Sequence, residues 1–241
     1  MLDAVLFDMD GLLVDTEPLW LETETEVMAK LGAPWTEEDQ RALLGGSMAK
    51  SVAYLLARAR ATQAEPVRVE PALPEPVRVE PALPEPAQVA AWLMEGMLAR
   101  AAAGRVRVRP GARELLAAVA ADGVPFALVT SSEREFADAV LAATGFRFPV
   151  TVTGDDVRAH KPDPEPYLLA ASLLGADPRR CVALEDSPNG VASAGAAGCA
   201  VIAVPSLLPI EPAPGRVVRS SLTGVNMDMV RLLAGRMGIT G

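Results

Sequence analysis

The chain has 241 residues, of which 50% are hydrophobic and 22% are charged, with a formal charge of -9. This composition is typical of a folded chain with one large domain or two smaller ones. Its two cysteines cannot build a disulfide framework, and its single histidine excludes a histidine-rich metal site. The acidic balance predicts binding to neither nucleic acid nor an anionic membrane, because both attract basic surfaces. The N-terminal segment contains acids and no basic region, so we expect no signal peptide and a cytoplasmic protein.

The N-terminal part begins with a short apolar run at residues 2–7, which predicts a buried strand and ends in two aspartates. Four helices are predicted next, at residues 17–31, after Thr36, at residues 47–61 and at residues 89–103. We therefore predict that residues 16–95 form an all-helical domain, inserted after the first strand of another domain.

A proline-rich duplication interrupts this helical part. The decapeptide VRVEPALPEP occurs at residues 67–76 and again at residues 77–86. Its prolines forbid a helix and favour extended chain, so we predict that residues 65–86 form an exposed loop lengthened by tandem duplication. A proline-rich docking segment is the alternative interpretation, which the charges within the repeat make weaker.

The C-terminal part alternates between predicted strands and helices. Strands are predicted at residues 124–129, 150–153, 181–184 and 200–204, and helices at residues 111–121, 133–143, 165–174, 190–197 and 223–234. This alternation is typical of a parallel sheet with helices on both faces. The predicted fold class is therefore α/β, with a Rossmann-like core formed by residues 1–15 and 96–241.

Polar side chains follow four of the predicted strands. In open α/β sheets ligands bind beyond the carboxyl ends of the strands, so these side chains should meet at one edge. They are Asp8 and Asp10 after the first strand, then Thr130, Ser131 and Ser132, then Lys161, then Glu185 and Asp186.

These residue types suit phosphate chemistry. Four acids at one edge raise each other's pKa, and a hard divalent cation such as Mg²⁺ relieves their repulsion. A hydroxyl and free backbone N–H groups at a strand-to-helix turn can bind a phosphate oxygen, and a lysine can offset phosphoryl charge. Carboxylate, metal, hydroxyl and lysine are together the parts needed for phosphoryl transfer through an aspartyl-phosphate.

Four segments at these positions carry a family resemblance. The segments FDMDGLLVDTEPLW, LVTSS, HKPDPEPY and LEDSPNGVASAGAAG resemble, in order and spacing, the four motifs of the haloacid dehalogenase superfamily. The resemblance covers nearly the whole chain and is closest to the branch of β-phosphoglucomutase and the sugar-phosphate phosphatases. It implies that the helical part is that family's small cap domain.

The resemblance also implies a catalytic role for each matched residue. Asp8 would be the nucleophile that becomes phosphorylated, and Asp10 would protonate the leaving alcohol and then deprotonate water. Thr130 and the Ser131 amide would bind the phosphoryl group. Lys161 would stabilise the phosphoryl charge and orient Asp8.

The cofactor and the substrate contacts follow from the same resemblance. Mg²⁺ would be bound by Asp8, the Asp10 carbonyl and Asp186, with Glu185 as a further ligand or beside the metal. In the cap, the candidates for substrate contact are Glu17, Trp20 and Ser47, although Trp20 fits a core tryptophan equally well.

The cap departs from the mutase pattern. Resembling mutases have a histidine in the first cap helix and two cations flanking the next loop, where this chain has Trp20, Leu44 and Met48. We therefore predict a monomeric, Mg²⁺-dependent phosphatase that hydrolyses a small phosphorylated metabolite, a sugar phosphate. A β-phosphoglucomutase-like phosphomutase and a non-catalytic phospho-accepting or interaction protein are the alternatives.

Overall fold

The structure is a computed structural model that describes residues 1–43, 46–64 and 82–237. Residues 65–81, which carry most of the duplicated segment, lie outside the described residues, and so does Leu44. Residues 82–85 have no regular secondary structure, and a helix begins at Pro86.

A parallel sheet lies at the centre of the molecule. The strands of the described residues are β1 (Ala4–Phe7), β2 (Val14–Asp15), β3 (Arg107–Val108), β4 (Phe126–Val129), β5 (Val150–Val152), β6 (Cys181–Glu185), β7 (Ala200–Ala203) and β8 (Arg216–Val218). Six of them form one parallel sheet in the order β5-β4-β1-β6-β7-β8, while β2 and β3 form a separate antiparallel pair. The central strand β1 is buried along its whole length, as expected for an apolar run covered on both faces.

Helices connect and cover the strands. They are α1 (Glu17–Lys30), α2 (Glu37–Leu43), α3 (Met48–Ala64), α4 (Pro86–Ala102), α5 (Ala112–Ala121), α6 (Arg134–Thr144), α7 (Glu165–Leu173), α8 (Pro188–Ala196) and α9 (Met227–Met237). A proline lies in the first turn of α1, α4, α7 and α8, where its missing N–H breaks no helical hydrogen bond. Among the described residues, no helix is long and apolar enough to cross a membrane.

The core is built in three clusters. Alternate residues of β1 face opposite sides of the sheet, so Phe7 packs with residues of α5, α6 and α9, and Leu6 packs with residues of α7 and α8. The third cluster belongs to the four helices α1–α4, which we call the helical block, and includes Met28, Leu55 and Leu93. The helical block also contributes Leu19 and Met97 to the cluster around Phe7.

The predicted α/β class with a parallel Rossmann-like sheet is confirmed. The short strands β2, β3 and β8 were not predicted, because each has two or three residues and none is buried along its length. The predicted helix at residues 223–234 begins later, at Met227, because Leu222–Gly224 form a 3₁₀ turn. The predicted domain boundary between residues 95 and 96 falls inside α4.

Candidate active site

The carboxyl ends of the central strands bring most of the predicted site residues together. Asp8 directly follows β1, Thr130 follows β4, and Glu185 is the last residue of β6. One pocket is lined jointly by residues from these strand ends and from the helical block. Its predicted members are Asp8, Asp10, Glu17, Trp20, Thr130, Ser131, Lys161 and Asp186.

Lys161 links two of the carboxylates beneath the pocket. Its Nζ donates to Asp8 Oδ1 at 2.6 Å, to Glu185 Oε1 at 2.6 Å and to the Val129 carbonyl at 2.9 Å, so its three N–H bonds are all used. Burial alone would lower the pKa of Lys161, but the adjacent carboxylates of Asp8 and Glu185 outweigh burial and raise it. The ammonium therefore stays charged and holds Asp8 in a fixed orientation.

Glu185 is fully enclosed and fully hydrogen-bonded. Its Oε1 also accepts from the hydroxyl of the buried Tyr167 at 2.6 Å, and its Oε2 accepts from the Asp186 amide at 3.1 Å. A Cβ on Gly190 would lie 2.0 Å from the carboxylate, so only glycine allows helix α8 to approach this closely. Both oxygens of Glu185 are therefore used inside the protein.

Asp10 is held by three hydroxyl groups. Thr16 donates to its Oδ1 at 2.6 Å, while Ser132 and Thr130 donate to its Oδ2 at 2.7 and 3.2 Å. The Thr130 hydroxyl in turn accepts from the Ser132 amide at 3.0 Å. These bonds join the loop after β1 to the loop after β4.

Three buried acids could hold a metal ion. One ligand atom each from Asp8, Glu185 and Asp186 lies within 4.8 Å of the others, and Asp8 Oδ2 is buried without a hydrogen-bond partner. Burial raises the pKa of Asp8 and Asp186 and the neighbouring carboxylates add to it, although Lys161 opposes the shift. A divalent cation with oxygen ligands would relieve this repulsion. Gly11 has φ +79° and approaches Asp186 Oδ2 so closely that a Cβ would lie 2.0 Å from it.

The helical block closes the other side of the pocket. Glu17, Trp20 and Glu24 lie on one face of α1, and Trp20 packs edge-on against Phe136 of α6 with ring centroids 6.0 Å apart. Burial raises the pKa of Glu17 to about 8, with a further contribution from the nearby Asp10 carboxylate.

Glu24 has a similar pKa for a simpler reason. Burial raises it to about 8, although the neighbouring indole of Trp35 opposes the shift. Glu24 Oε2 and Trp35 Nε1 nevertheless both lack a hydrogen-bond partner of normal distance and angle.

Comparison with known proteins now identifies the family. A model of the haloacid dehalogenase-like hydrolases matches residues 2–198. The chain belongs to this family. The hydrolase is 32% identical to the phosphorylated carbohydrates phosphatase of Thermotoga maritima over 199 residues. This alignment covers 82% of each chain. It is 33% identical over 208 residues to hexitol phosphatase B of Escherichia coli, over 84% of this chain and 83% of that one.

A solved relative agrees with the fold of the hydrolase. CbbY from Rhodobacter sphaeroides, in complex with phosphate, matches with a TM-score of 0.77 at 29% identity and covers 95% of this chain and 99% of that chain. A mutant of CbbY has been solved in complex with xylulose-(1,5)bisphosphate, with a TM-score of 0.74.

One predicted site residue of the hydrolase lies elsewhere. Ser47 is not among the residues that line the pocket, although its neighbours Gly46 and Met48 are. Its Oγ accepts from the Lys50 amide at 3.4 Å, the bond that a serine makes at the start of a helix. The Ser47 side chain therefore serves the first turn of α3.

Other residues of the site had no role assigned to them from the sequence. Thr16 and Tyr167 make direct hydrogen bonds to the predicted acids, and Glu24 lines the pocket. Ser132, which was predicted to lie at this edge but was given no role, also donates to Asp10. Glu24 lies seven residues after Glu17 and so on the same helical face, but spacing alone does not show that this face is buried. Tyr167 ends the segment HKPDPEPY, but the helix that follows is largely apolar and its pattern gave the tyrosine no role.

Proposed function

We propose that this hydrolase is a Mg²⁺-dependent phosphatase, which hydrolyses the phosphate monoester of a small sugar or polyol through an aspartyl-phosphate. The observation that carries the proposal is the state of Asp8, whose Oδ1 is fixed by Lys161 while its Oδ2 is buried without a hydrogen-bond partner. The names of two relatives, a phosphorylated carbohydrates phosphatase and a hexitol phosphatase, support the same substrate class.

The residues at the strand ends fit Mg²⁺. Asp8 and Asp186 are the side-chain ligands that we propose, together with the Asp10 carbonyl. Glu185 fits a positioning role better, because both of its oxygens already accept hydrogen bonds and Oε1 faces Lys161. When bound, the cation supplies positive charge for an anionic phosphate in an otherwise acidic pocket.

The protein's own residues account for two chemical steps. In the first, a carboxylate oxygen of Asp8 attacks phosphorus, the bond to the leaving oxygen breaks, and Asp10 gives its proton to the departing alcohol. In the second, Asp10 takes a proton from water, the water oxygen attacks phosphorus, and Asp8 and inorganic phosphate are released. Thr130 and the Ser131 amide donate to the phosphoryl oxygens, and Lys161 offsets their charge.

The same proposal makes the helical block a cap domain. The helical block has a hydrophobic cluster of its own and supplies one wall of the pocket. A cap over the reacting groups excludes bulk water and selects the leaving group. Because α4 is continuous to Ala102, the second boundary of this domain fits better after that residue than at residue 95.

Water fits better than a sugar hydroxyl as the acceptor of the phosphoryl group from Asp8. Trp20 and Met48, which stand at two of the positions where resembling mutases carry histidine and a cation, both line the pocket. Neither can replace an imidazole or a cation in binding a second phosphate, so we favour hydrolysis over mutase chemistry.

Phosphate release from a panel of esters tests the proposal. We expect turnover with Mg²⁺, none with EDTA, and a loss of at least about a thousand-fold in Asp8→Asn. The control is Asp138→Asn, which changes an exposed aspartate on α6. If no ester is hydrolysed with Mg²⁺, the phosphatase proposal is wrong, and if Asp8→Asn stays active, the covalent route is wrong.

A further inference from the structure

We infer that Glu24 belongs to a subsite of the helical block that binds an uncharged, hydroxyl-bearing leaving group and disfavours substrates with a second anionic group. This inference rests on the proposed phosphatase function, because it concerns the part of the ester that leaves. It adds a specificity-determining residue that lies away from the catalytic loops.

The first observation is the unusual state of Glu24. It lines the pocket, only 3% of the residue is exposed, and its buried Oε2 makes no hydrogen bond of normal distance and angle, although the indole of Trp35 is close enough to lower its pKa. A buried polar atom without a partner is costly, and a ligand that supplies the missing hydrogen bond recovers that cost. A hydroxyl group can do so, because it can both donate and accept.

Other polar groups surround Glu24 in the pocket. Gln40 and Ser51 are buried and line it as well. The Gln40 amide donates through Nε2 to the Glu17 carbonyl at 2.9 Å, which leaves its side-chain oxygen for a ligand. Burial keeps the pKa of Glu24 near 8, so at neutral pH its carboxyl group is mostly protonated and can also donate.

Apolar side chains complete the subsite. Leu43, Met48 and Met94 line the same pocket beside Trp20. Flat apolar surface together with a few fixed polar groups matches a sugar or polyol, which presents C–H faces between its hydroxyls.

The second observation is the charge of the lining. Among the described residues that line the pocket, Lys161 is the one lysine or arginine, and its N–H bonds are already used by Asp8, Glu185 and Val129. The acids Glu17 and Glu133 line the pocket as well. A second phosphate or carboxylate on the leaving group would meet carboxyl groups and no free cation, which disfavours such substrates.

Two arginines of the helical block are paired with acids elsewhere. Arg58 pairs with Asp39 at 3.2 Å, and Arg100 pairs with Glu26 at 2.7 Å. None of these four residues lines the pocket. Lys50, beside the lining residues Gly46 and Ser51, is the cation of the described helical block that lies near the pocket, and it does not line it.

The test compares kcat/KM for four esters with Mg²⁺ present. They are sorbitol 6-phosphate, fructose 1,6-bisphosphate, 6-phosphogluconate and p-nitrophenyl phosphate, which has no hydroxyl groups. We expect the wild type to prefer sorbitol 6-phosphate by at least about ten-fold to the two esters with a second anionic group, because that group would enter the subsite without a counter-ion. If kcat/KM for fructose 1,6-bisphosphate or for 6-phosphogluconate equals or exceeds that for sorbitol 6-phosphate, the inference is wrong.

Variants of Glu24 provide the second arm. Glu24→Leu should lower the ratio of kcat/KM for sorbitol 6-phosphate to that for p-nitrophenyl phosphate by about ten-fold, mainly through KM. Glu24→Gln should restore much of the ratio, because an amide still donates and accepts. The matched control is Glu95→Leu, an exposed acid on α4. An unchanged ratio in Glu24→Leu contradicts the inference.

The outcomes distinguish a failure of the subsite from a failure of the proposed phosphatase function. Hydrolysis of p-nitrophenyl phosphate without selectivity among the other esters contradicts the subsite alone. Failure to hydrolyse any of the four contradicts the phosphatase proposal and the subsite with it. Thermal unfolding of each variant shows whether it is folded. The comparison of the four esters uses the wild type alone, so it stands even if a variant does not fold.

Discussion

Lys161 Nζ lies 2.6 Å from Asp8 Oδ1, and this ion pair is nearly inaccessible to water, with 2% and 8% of the two side chains exposed. A second carboxylate, Glu185, lies at the same distance from the ammonium. Charges removed from water in this way are stable only together, because each one alone pays a large desolvation cost. The orientation of Asp8 and the stability of the fold therefore depend on the same lysine.

Replacing this lysine should affect stability and activity together. In Lys161→Met the buried carboxylates lose their counter-ion, so we expect a loss of about 3–5 kcal/mol in the free energy of unfolding and no measurable phosphate release. Urea unfolding in EDTA measures the first effect. The control Lys30→Met changes an exposed lysine and should cost less than about 1 kcal/mol. If Lys161→Met were as stable as the wild type, the ion pair between Lys161 and Asp8 would not be buried.

Tyr167→Phe tests whether Glu185 acts through Lys161. The change removes the 2.6 Å hydrogen bond to Glu185 Oε1. We expect a loss of about 1–3 kcal/mol in stability and a several-fold fall in kcat with little change in KM.

Tyr54→Phe is the matched control for that experiment. Its hydroxyl also donates to a carboxylate, Asp39 Oδ1, at 3.1 Å, and neither residue lines the pocket. This variant should lose stability and keep its kcat. An equal fall of kcat in both variants would mean that Tyr167 has only a structural role.

Two glycines of α8 give opposite predictions. A methyl group at Gly190 would lie 2.0 Å from Glu185, so Gly190→Ala should unfold or inactivate the protein. At Gly195 nothing lies within 4 Å of an added Cβ, so Gly195→Ala should stabilise the protein by about 0.5–1 kcal/mol and leave activity intact. Chemical denaturation checks the expected loss of stability in Gly190→Ala and the expected gain in Gly195→Ala. Tolerance of alanine at residue 190 would show that Glu185 is not held against the helix.

Glu24 should make stability depend on pH. Its pKa is raised from an ordinary value near 4.5 to about 8, so the folded state binds the proton more tightly than the unfolded state. This contribution to stability is fully present below about pH 4.5 and is lost as the pH rises through 8. We expect the wild type to lose stability on the order of a few kcal/mol over this range.

The comparison with Glu24→Leu isolates that contribution. The difference in melting temperature between the variant and the wild type, measured in EDTA, should grow in favour of the variant from pH 5 to pH 9. Glu17 titrates near the same pH, so the variant should retain a weaker pH dependence. If the melting temperatures of the two proteins change with pH in the same way from pH 5 to pH 9, Glu24 is not buried and protonated.

The sequence predicted the residues at the strand ends far better than those on the opposite wall of the pocket. Asp8, Thr130 and Asp186 are found at strand ends because strand position and the edge of a parallel sheet are linked by geometry alone. Glu24 is different, since an acid in a helical pattern normally faces water, and only the packing of four helices decides that this one is buried. Ser47 was predicted from its loop, and the orientation of a loop side chain is not encoded in local spacing.

One of the hydroxyl groups around Asp10 has two partners in the proposed mechanism. The Thr130 hydroxyl, which the proposed mechanism assigns to the phosphoryl group, donates to Asp10 Oδ2 in this structure. One hydroxyl proton cannot serve both oxygens fully, so an arriving phosphoryl group competes with Asp10 for it. Asp10 would then keep the two shorter hydrogen bonds, from Thr16 at 2.6 Å and from Ser132 at 2.7 Å. The phosphoryl site and the proposed acid therefore share one hydroxyl group, and a change at Thr130 would affect both.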